Sequence, residues 1–181
     1  MTNLRLDKII VVDLEATCWE GEPPQRQISE IIEIGACSLN MKTLEIENKQ
    51  SYLVKPRFSQ VGEYCTRITS LSAEQVSRGM SFGDAVNKFK KEFGLKNRTW
   101  ASWGRGDMDF FLRNCALYEI DYPFGEEHLN ASTLFSLKYK LHERIGVENA
   151  LQMMGMDFEG KPHRAIDDAY NTARIIKNTL N

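Results

Sequence analysis

The sequence predicts an α/β fold in which a mixed β-sheet is covered by helices. Two observations predict it. Three strand-like segments come first, the second and third of them joined by a short polar turn, and after them strand and helix signals alternate to the end of the chain.

Taken in order, Lys8 to Val12 is a β-branched run of the kind that forms a fully buried strand, ending in polar, turn-prone sequence at Cys18 to Gln27. Glu30 to Leu39 and Glu45 to Lys55 read as two more strands, and the turn Asn40-Met41-Lys42-Thr43 between them suggests an antiparallel meander. Ser72-Ala73-Glu74-Gln75 has the form of a capping box opening a short helix, and Ser81-Phe82-Gly83-Asp84 opens another that stops at Gly94. Thr99 to Trp103 reads as a strand, Gly104-Arg105-Gly106 as a turn and Asp107 to Tyr118 as an amphipathic helix. A strand at Leu129 to Thr133 precedes helical segments at Leu134 to Lys140 and Val147 to Met154, and a final helix runs from Arg164 to Thr179. No repeat, low-complexity tract or linker interrupts the chain, so residues 1–181 are expected to form a single domain.

Composition narrows the function classes. With 181 residues, 42% of them hydrophobic and 27% charged, the chain is long enough to bury one core. No stretch approaches the roughly 18 apolar residues of a membrane span, and the run Ile9 to Val12 is shorter than a secretion signal, so a soluble, cytoplasmic protein without a membrane partner is expected. Cys18, Cys37, Cys65 and Cys115 are scattered, with neither disulfide-scaffold nor zinc-finger spacing. The formal net charge of −2 gives no global basic excess, so any grip on nucleic acid must come from bound cations or a local patch of Arg and Lys.

The chemistry begins with Asp13-Leu14-Glu15 at the end of the first strand. Side chains two apart on a strand share a face, so both carboxylates converge while Leu14 turns away. Two acids in an apolar setting repel unless protons or cations compensate, and carboxylate oxygens suit Mg²⁺ or Mn²⁺; a solvated strand end with two incidental acids is the bland alternative. On the helix beginning at Asp107, a wheel at about 100° per residue puts Asp107 on the face of Phe111, Asn114, Cys115 and Tyr118, and Asp109 on the opposite face. Helix N-termini favour acids whether or not they have a function, so Asp107 alone decides nothing. On the final helix the inward stripe is Ala165, Ala169, Thr172, Ala173, Ile176 and Leu180, with Asp168 at its edge and Asp167 pointing to solvent with Arg174 and Asn178. His163 follows Pro162 on a loop five residues before Asp168, where an imidazole can take a proton from water near neutral pH. His128 and His142 have no comparable setting. The four carboxylates and one histidine fit a scheme of two divalent cations about 4 Å apart, with the acids as ligands and His163 as general base.

The ordered set resembles the DEDDh exonucleases of the DnaQ-like group, within the ribonuclease-H-like superfamily. The resemblance runs through Val12 to Thr17, Glu30 to Gly35, Trp103 to Asp107 and Gly160 to Ala169, and covers nearly the whole chain. Glu15 to Glu20 and Gly155 to His163 look most like the branch containing histone-mRNA and RNA-interference-related 3′ exonucleases and bacterial KapD. It implies an α/β, ribonuclease-H-like fold with a central five-stranded mixed β-sheet flanked by α-helices. It also implies two Mg²⁺ or Mn²⁺ ions and the single-stranded 3′ end of RNA or DNA held in a cleft. By matched positions, Leu14 and Ala16 would lie against the terminal nucleotide, Thr17 near its sugar or phosphate, and Ile68 and Thr69 in a substrate-contacting loop where Ser70 replaces a common glycine. Met108, beside Asp107, joins the substrate set, as does Trp103; Trp103 and Trp19 are otherwise packing residues. Arg105 departs from the pattern expected beside the third acid. This chain has no room for the additional RNA-binding module some members carry, so a recruiting protein partner is a further expectation. A regulatory binding protein of the same fold, a proofreading-type DNA exonuclease and an oligoribonuclease are the competing readings.

Overall fold

The computed structural model describes residues 4–181. Its centre is a five-stranded sheet of order β3-β2-β1-β4-β5, built from β1 (Arg5–Ala16), β2 (Ile31–Asn40), β3 (Ile46–Leu53), β4 (Arg98–Ser102) and β5 (His128–Asn130). β1 pairs antiparallel with β2 and parallel with β4, so the sheet is mixed and β1 lies at its middle. The helices are α1 (Glu63–Thr69), α2 (Ala73–Ser77), α3 (Phe82–Phe93), α4 (Gly106–Leu117), α5 (Ala131–Lys138), α6 (Val147–Met153) and α7 (Ala165–Leu180).

The alternation of β1 decides what each layer holds. Ile10 and Val12 pack with Ile34, Ala36 and Trp100 against Phe82 and Phe89 of α3 and Phe111 of α4. Ile9 and Val11 face the other way, with Cys37, Leu39 and Ala101, onto Ala173 and Ile176 of α7. Ile10, Val11 and Val12 are each no more than 1% exposed, and burying such a side chain stabilises the fold by roughly 1.5–3 kcal/mol. By the same parity Leu14 packs into the α3–α4 layer, leaving Asp13 and Glu15 on the α7 side. α7 comes unusually close to the sheet there: a Cβ on Gly35 would stand 2.0 Å from the Ala165 carbonyl carbon. Glycine at that position is what lets the first turn of α7 rest on β2.

Several boundaries differ from expectation. The strand expected at Leu129 to Thr133 ends at Asn130, because the Asn130 side chain accepts from the Thr133 amide and caps α5, which starts three residues before the expected Leu134. α1 was not anticipated; its N-cap is Gly62, with no side-chain cap to announce it. Both expected serine caps are present, Ser72 in a full capping box and Ser81 accepting from the Asp84 amide. On α7, Leu180 is 45% exposed and does not belong to the inward stripe, whereas Asn171, Ile175 and Thr179 are buried. No helix among the described residues is long and apolar enough to cross a membrane.

Candidate functional site

Asp13 and Glu15 stand at the C-terminal end of β1, and Asp168 descends on them from the first turn of α7. One carboxylate oxygen from each of the three lies within 4.8 Å of the others. Asp107 approaches from the first turn of α4. It stands outside that tight threesome, yet its charge is the largest neighbouring influence on Asp13 after burial itself. β1 runs on to Ala16, whereas its register with β4 stops at Val11 opposite Ala101. Against burial, which raises it, the Asp107 carboxyl is pulled part of the way back down, first by its own backbone, then by the Ser102 hydroxyl and the Leu14 backbone.

Crowding acids in a place poor in water makes ionisation expensive. Burial, then the charges of Asp107, Asp168, Glu15 and Glu33, hold the Asp13 carboxyl well above the usual range. Glu15 is pushed up to about 8 by burial and by Asp168, Glu33 and Asp107, with Arg164 opposing. Asp107 and Asp168 are each raised to about 6, in both cases first by burial. Asp168 is drawn part of the way back by the His163 side chain and by the backbone of His163 and Arg164. Both Asp107 and Asp168 sit in first turns, where the helix dipole favours an anion.

Glu33 is a fifth carboxylate that sequence reasoning passed over. It pairs across the sheet with Glu15 and is fully buried. Its oxygens accept from Arg164 Nε and Nη2 at 3.0 Å each, from the Ala165 amide at 3.1 Å and from Ser51 Oγ at 2.6 Å. Glutamate is almost never buried without a partner, so one Glu inside the apolar run Ile31 to Leu39 was the available signal. His163 follows on the exposed loop before α7, with its backbone in the left-handed region at φ 59°.

The donor set suits a hard divalent cation: carboxylate oxygens alone, held where only positive charge relieves their repulsion. Asp168 Oδ2 is buried and has no hydrogen-bond partner among the described residues, an arrangement a ligated ion would satisfy.

A family model described as exonuclease (RNase_T) matches residues 10–176. The chain belongs to this exonuclease family. Among family relatives, human 3′-5′ exoribonuclease 1 is 35% identical over 96% of this chain and 52% of its own length. The probable 3′-5′ exonuclease KapD of Bacillus subtilis is 27% identical over 94% of this chain and 83% of its own length. This chain spans about half the length of the human, rat and mouse 3′-5′ exoribonuclease 1 proteins it matches. The nuclease domain of 3′hExo, a DEDDh family member solved bound to rAMP, superposes with a TM-score of 0.86 at 31% identity, covering 96% of this chain and 92% of that one. The five-stranded mixed sheet flanked by helices is thus the ribonuclease-H-like exonuclease fold.

Leu14 and Met108 are half-buried against the α3–α4 core. Ala16 is half-buried beside a register shift in β1. Thr17 is fully buried and its hydroxyl is used internally, donating to Ile28 O and accepting from the Glu30 amide. Thr69 does the same with Cys65 O and the Leu71 amide, while Ile68 beside it is half-buried. Ser70 adopts φ 62°, the left-handed conformation for which glycine is the usual choice. Trp103 is tied down by its indole N–H, which donates to Ile145 O at 2.8 Å, and its ring packs by Phe135. Asp109 is exposed, as expected, but Asp167 is not a solvated residue. Its side chain is 19% exposed and accepts from Lys49 Nζ and the Lys161 amide.

These raised carboxylates carry a sign for pH dependence. In their folded state they bind protons more tightly than in the unfolded chain, so their contribution is fully present at low pH and is lost as pH rises through about 6 for Asp107 and Asp168 and about 8 for Glu15. In a chelator, the melting temperature is expected to fall over that interval. Added Mn²⁺ or Mg²⁺ should reverse the fall, most strongly at its alkaline end. Flat melting temperatures, unmoved by metal, would contradict a cation site at these acids.

Proposed function

We propose that this chain is a divalent-cation-dependent 3′ to 5′ exonuclease acting on single-stranded RNA, and on DNA less well. The observation that carries the reading is the convergence of Asp13, Glu15 and Asp168 from opposite ends of the sequence, with Asp107 close enough to perturb Asp13 and Glu15. Family membership and the names of the human and Bacillus relatives support the direction of attack, and the exoribonuclease names support RNA.

In this reading Asp13, Glu15, Asp107 and Asp168 hold two Mg²⁺ or Mn²⁺ ions. Bound there, the ions supply Lewis-acid chemistry, easing deprotonation of a water and offsetting charge on the phosphate and the departing 3′ oxygen. His163, exposed at the loop beside Asp168, accepts the proton of the attacking water on its imidazole. Glu33 does not ligate; its oxygens are engaged by Arg164, Ala165 and Ser51, and it fixes the start of α7 against β2. Leu14 and Met108 offer apolar surface to the terminal base, with Ala16, Thr17, Ile68, Thr69 and Trp103 shaping the cleft around it.

The test is a 5′-labelled single-stranded RNA and its DNA counterpart, each incubated with Mg²⁺, Mn²⁺ or a chelator. Stepwise shortening from the 3′ end in either metal is expected, faster on RNA and absent in the chelator. Strands that remain full length in both metals would refute the proposal. Equal rates on the two strands would remove only the preference for RNA, which depends on contacts to the 2′-hydroxyl.

A further inference from the structure

The loop that carries His163 is fastened to α7 residue by residue. At its beginning, the buried Asn171 side chain accepts from the Glu159 amide at 3.1 Å and donates to the Glu159 carbonyl at 2.8 Å. Arg174 reinforces both partners, donating to Asn171 Oδ1 at 2.7 Å and pairing with Glu159 at 2.9 Å. Next, Asp167 Oδ2 accepts from the Lys161 amide at 3.0 Å. The carboxylate lies flat against Gly160, where a Cβ would meet Asp167 Cγ at 2.4 Å and where φ is +91°. Its second oxygen accepts from Lys49 Nζ of β3 at 2.9 Å, and that ammonium also stands 4.5 Å from the Tyr170 ring centroid. At its end, Arg164 is gripped by Glu33 through two bonds of 3.0 Å.

Only Pro162 and His163 lie between the Lys161 anchor and the Arg164 anchor. Proline fixes its own φ. The φ of His163 is itself in the left-handed region, a conformation that persists only where its surroundings impose it. We propose that Asp167 is a positioning residue. By holding the Lys161 amide and seating Gly160, it sets where the His163 imidazole stands relative to Asp168. Lys49, reaching across from the edge strand, keeps the Asp167 carboxylate turned toward the loop. The assignment rests on the reading of His163 as proton acceptor and adds a residue that touches neither metal nor substrate.

Four purified proteins test it: Asp167→Ala, Asp167→Asn, His163→Ala and the double variant Asp167→Ala/His163→Ala. Asp167→Ala is expected to lower kcat by about 10- to 100-fold, the usual effect of losing a group that orients a reacting one. KM should stay within about 2-fold, because the binding cleft is untouched. Asp167→Asn should regain most of the lost kcat, since its amide oxygen still accepts from Lys161. In the His163→Ala background, Asp167→Ala should change kcat by less than about 2-fold, because the two act as one unit. Amide exchange at Lys161 should quicken in Asp167→Ala and not in Asp167→Asn. If Asp167→Ala does not fold, Gly160→Ala, which drives the carboxylate off its seat, is expected to show the same loss of kcat and the same silence without His163. An unchanged kcat, a loss confined to KM, or an equal loss with and without His163 would overturn the inference while leaving the exonuclease reading intact. A wild-type chain that shortens no strand would overturn both.

Discussion

Asp13→Asn is expected to reduce 3′-end nucleotide release by on the order of 10³-fold, about 4 kcal/mol of transition-state stabilisation, while leaving the metal-free protein as stable as wild type or more stable. The two halves of the prediction come from one cause. Asp13 is the most central of the clustered acids, feeling Asp107, Asp168, Glu15 and Glu33 at once. On the proposed reading, removing its charge takes a ligand from the cations; in any case it takes a repelling neighbour from the other carboxylates. Ordinary loss-of-function by misfolding lowers activity and melting temperature together. Here they should move apart, and most clearly above pH 8, where Glu15 ionises in the wild type. The measurement is a rate on labelled RNA beside a thermal melt in chelator. Retained activity would remove Asp13 from the metal site, and a sharply lowered melting temperature would show its role to be structural.

Gly35→Ala is expected to be as damaging for an unrelated reason. The added methyl would lie 2.0 to 2.2 Å from the Ala165 carbonyl and the Ile166 amide, all of them backbone atoms that no rotamer change can move aside. β2 and α7 must therefore separate. Overpacking of this kind costs about 3 kcal/mol or more, a fall in melting temperature of roughly 6–12 °C for a chain this size. The displaced element carries Asp168, with His163 just ahead of it, so the surviving folded fraction should also lose about 10²-fold or more in rate. Activity normalised to folded protein checks the second part. A variant that melts and cuts like wild type would mean that β2 and α7 are far enough apart to admit a methyl group.

How much of this was legible beforehand depended on whether the deciding neighbours were local. The parity of β1 sorted Asp13 and Glu15 from Leu14, and the helix wheel sorted Asp107 from Asp109, because an element's own period fixes its faces. The same wheel misplaced Asp167. It sees one helix, whereas the groups that cover Asp167 are a loop folding back at Gly160 and Lys161 and a lysine from a distant edge strand. Glu33 was passed over for a similar reason: Arg164, its partner, lies 131 residues away. Leu180 fits the inward stripe by angle but lies at the end of α7, and it is 45% exposed. α1 left no cap to read, and Asn130, which both closes β5 and caps α5, hid the start of the helix inside the strand expected at Leu129 to Thr133. Substrate roles for Leu14, Ala16, Thr17, Ile68, Thr69, Trp103 and Met108 remain proposals, since no spacing rule tells a residue that lines a cleft from one that only packs.

Asp13 belongs to the first strand and Asp168 to the last helix, and their meeting has a kinetic side. Bringing such remote segments together means closing a loop that spans nearly all of the chain, and contacts of that kind form late. During refolding from denaturant, helical signal should recover before cutting power does, with the lag reporting the docking of α7 on β1 and β2. On the proposed function, catalysis would then be a sensor of this long-range closure, lost at the first fraying of that seam and regained only with its repair.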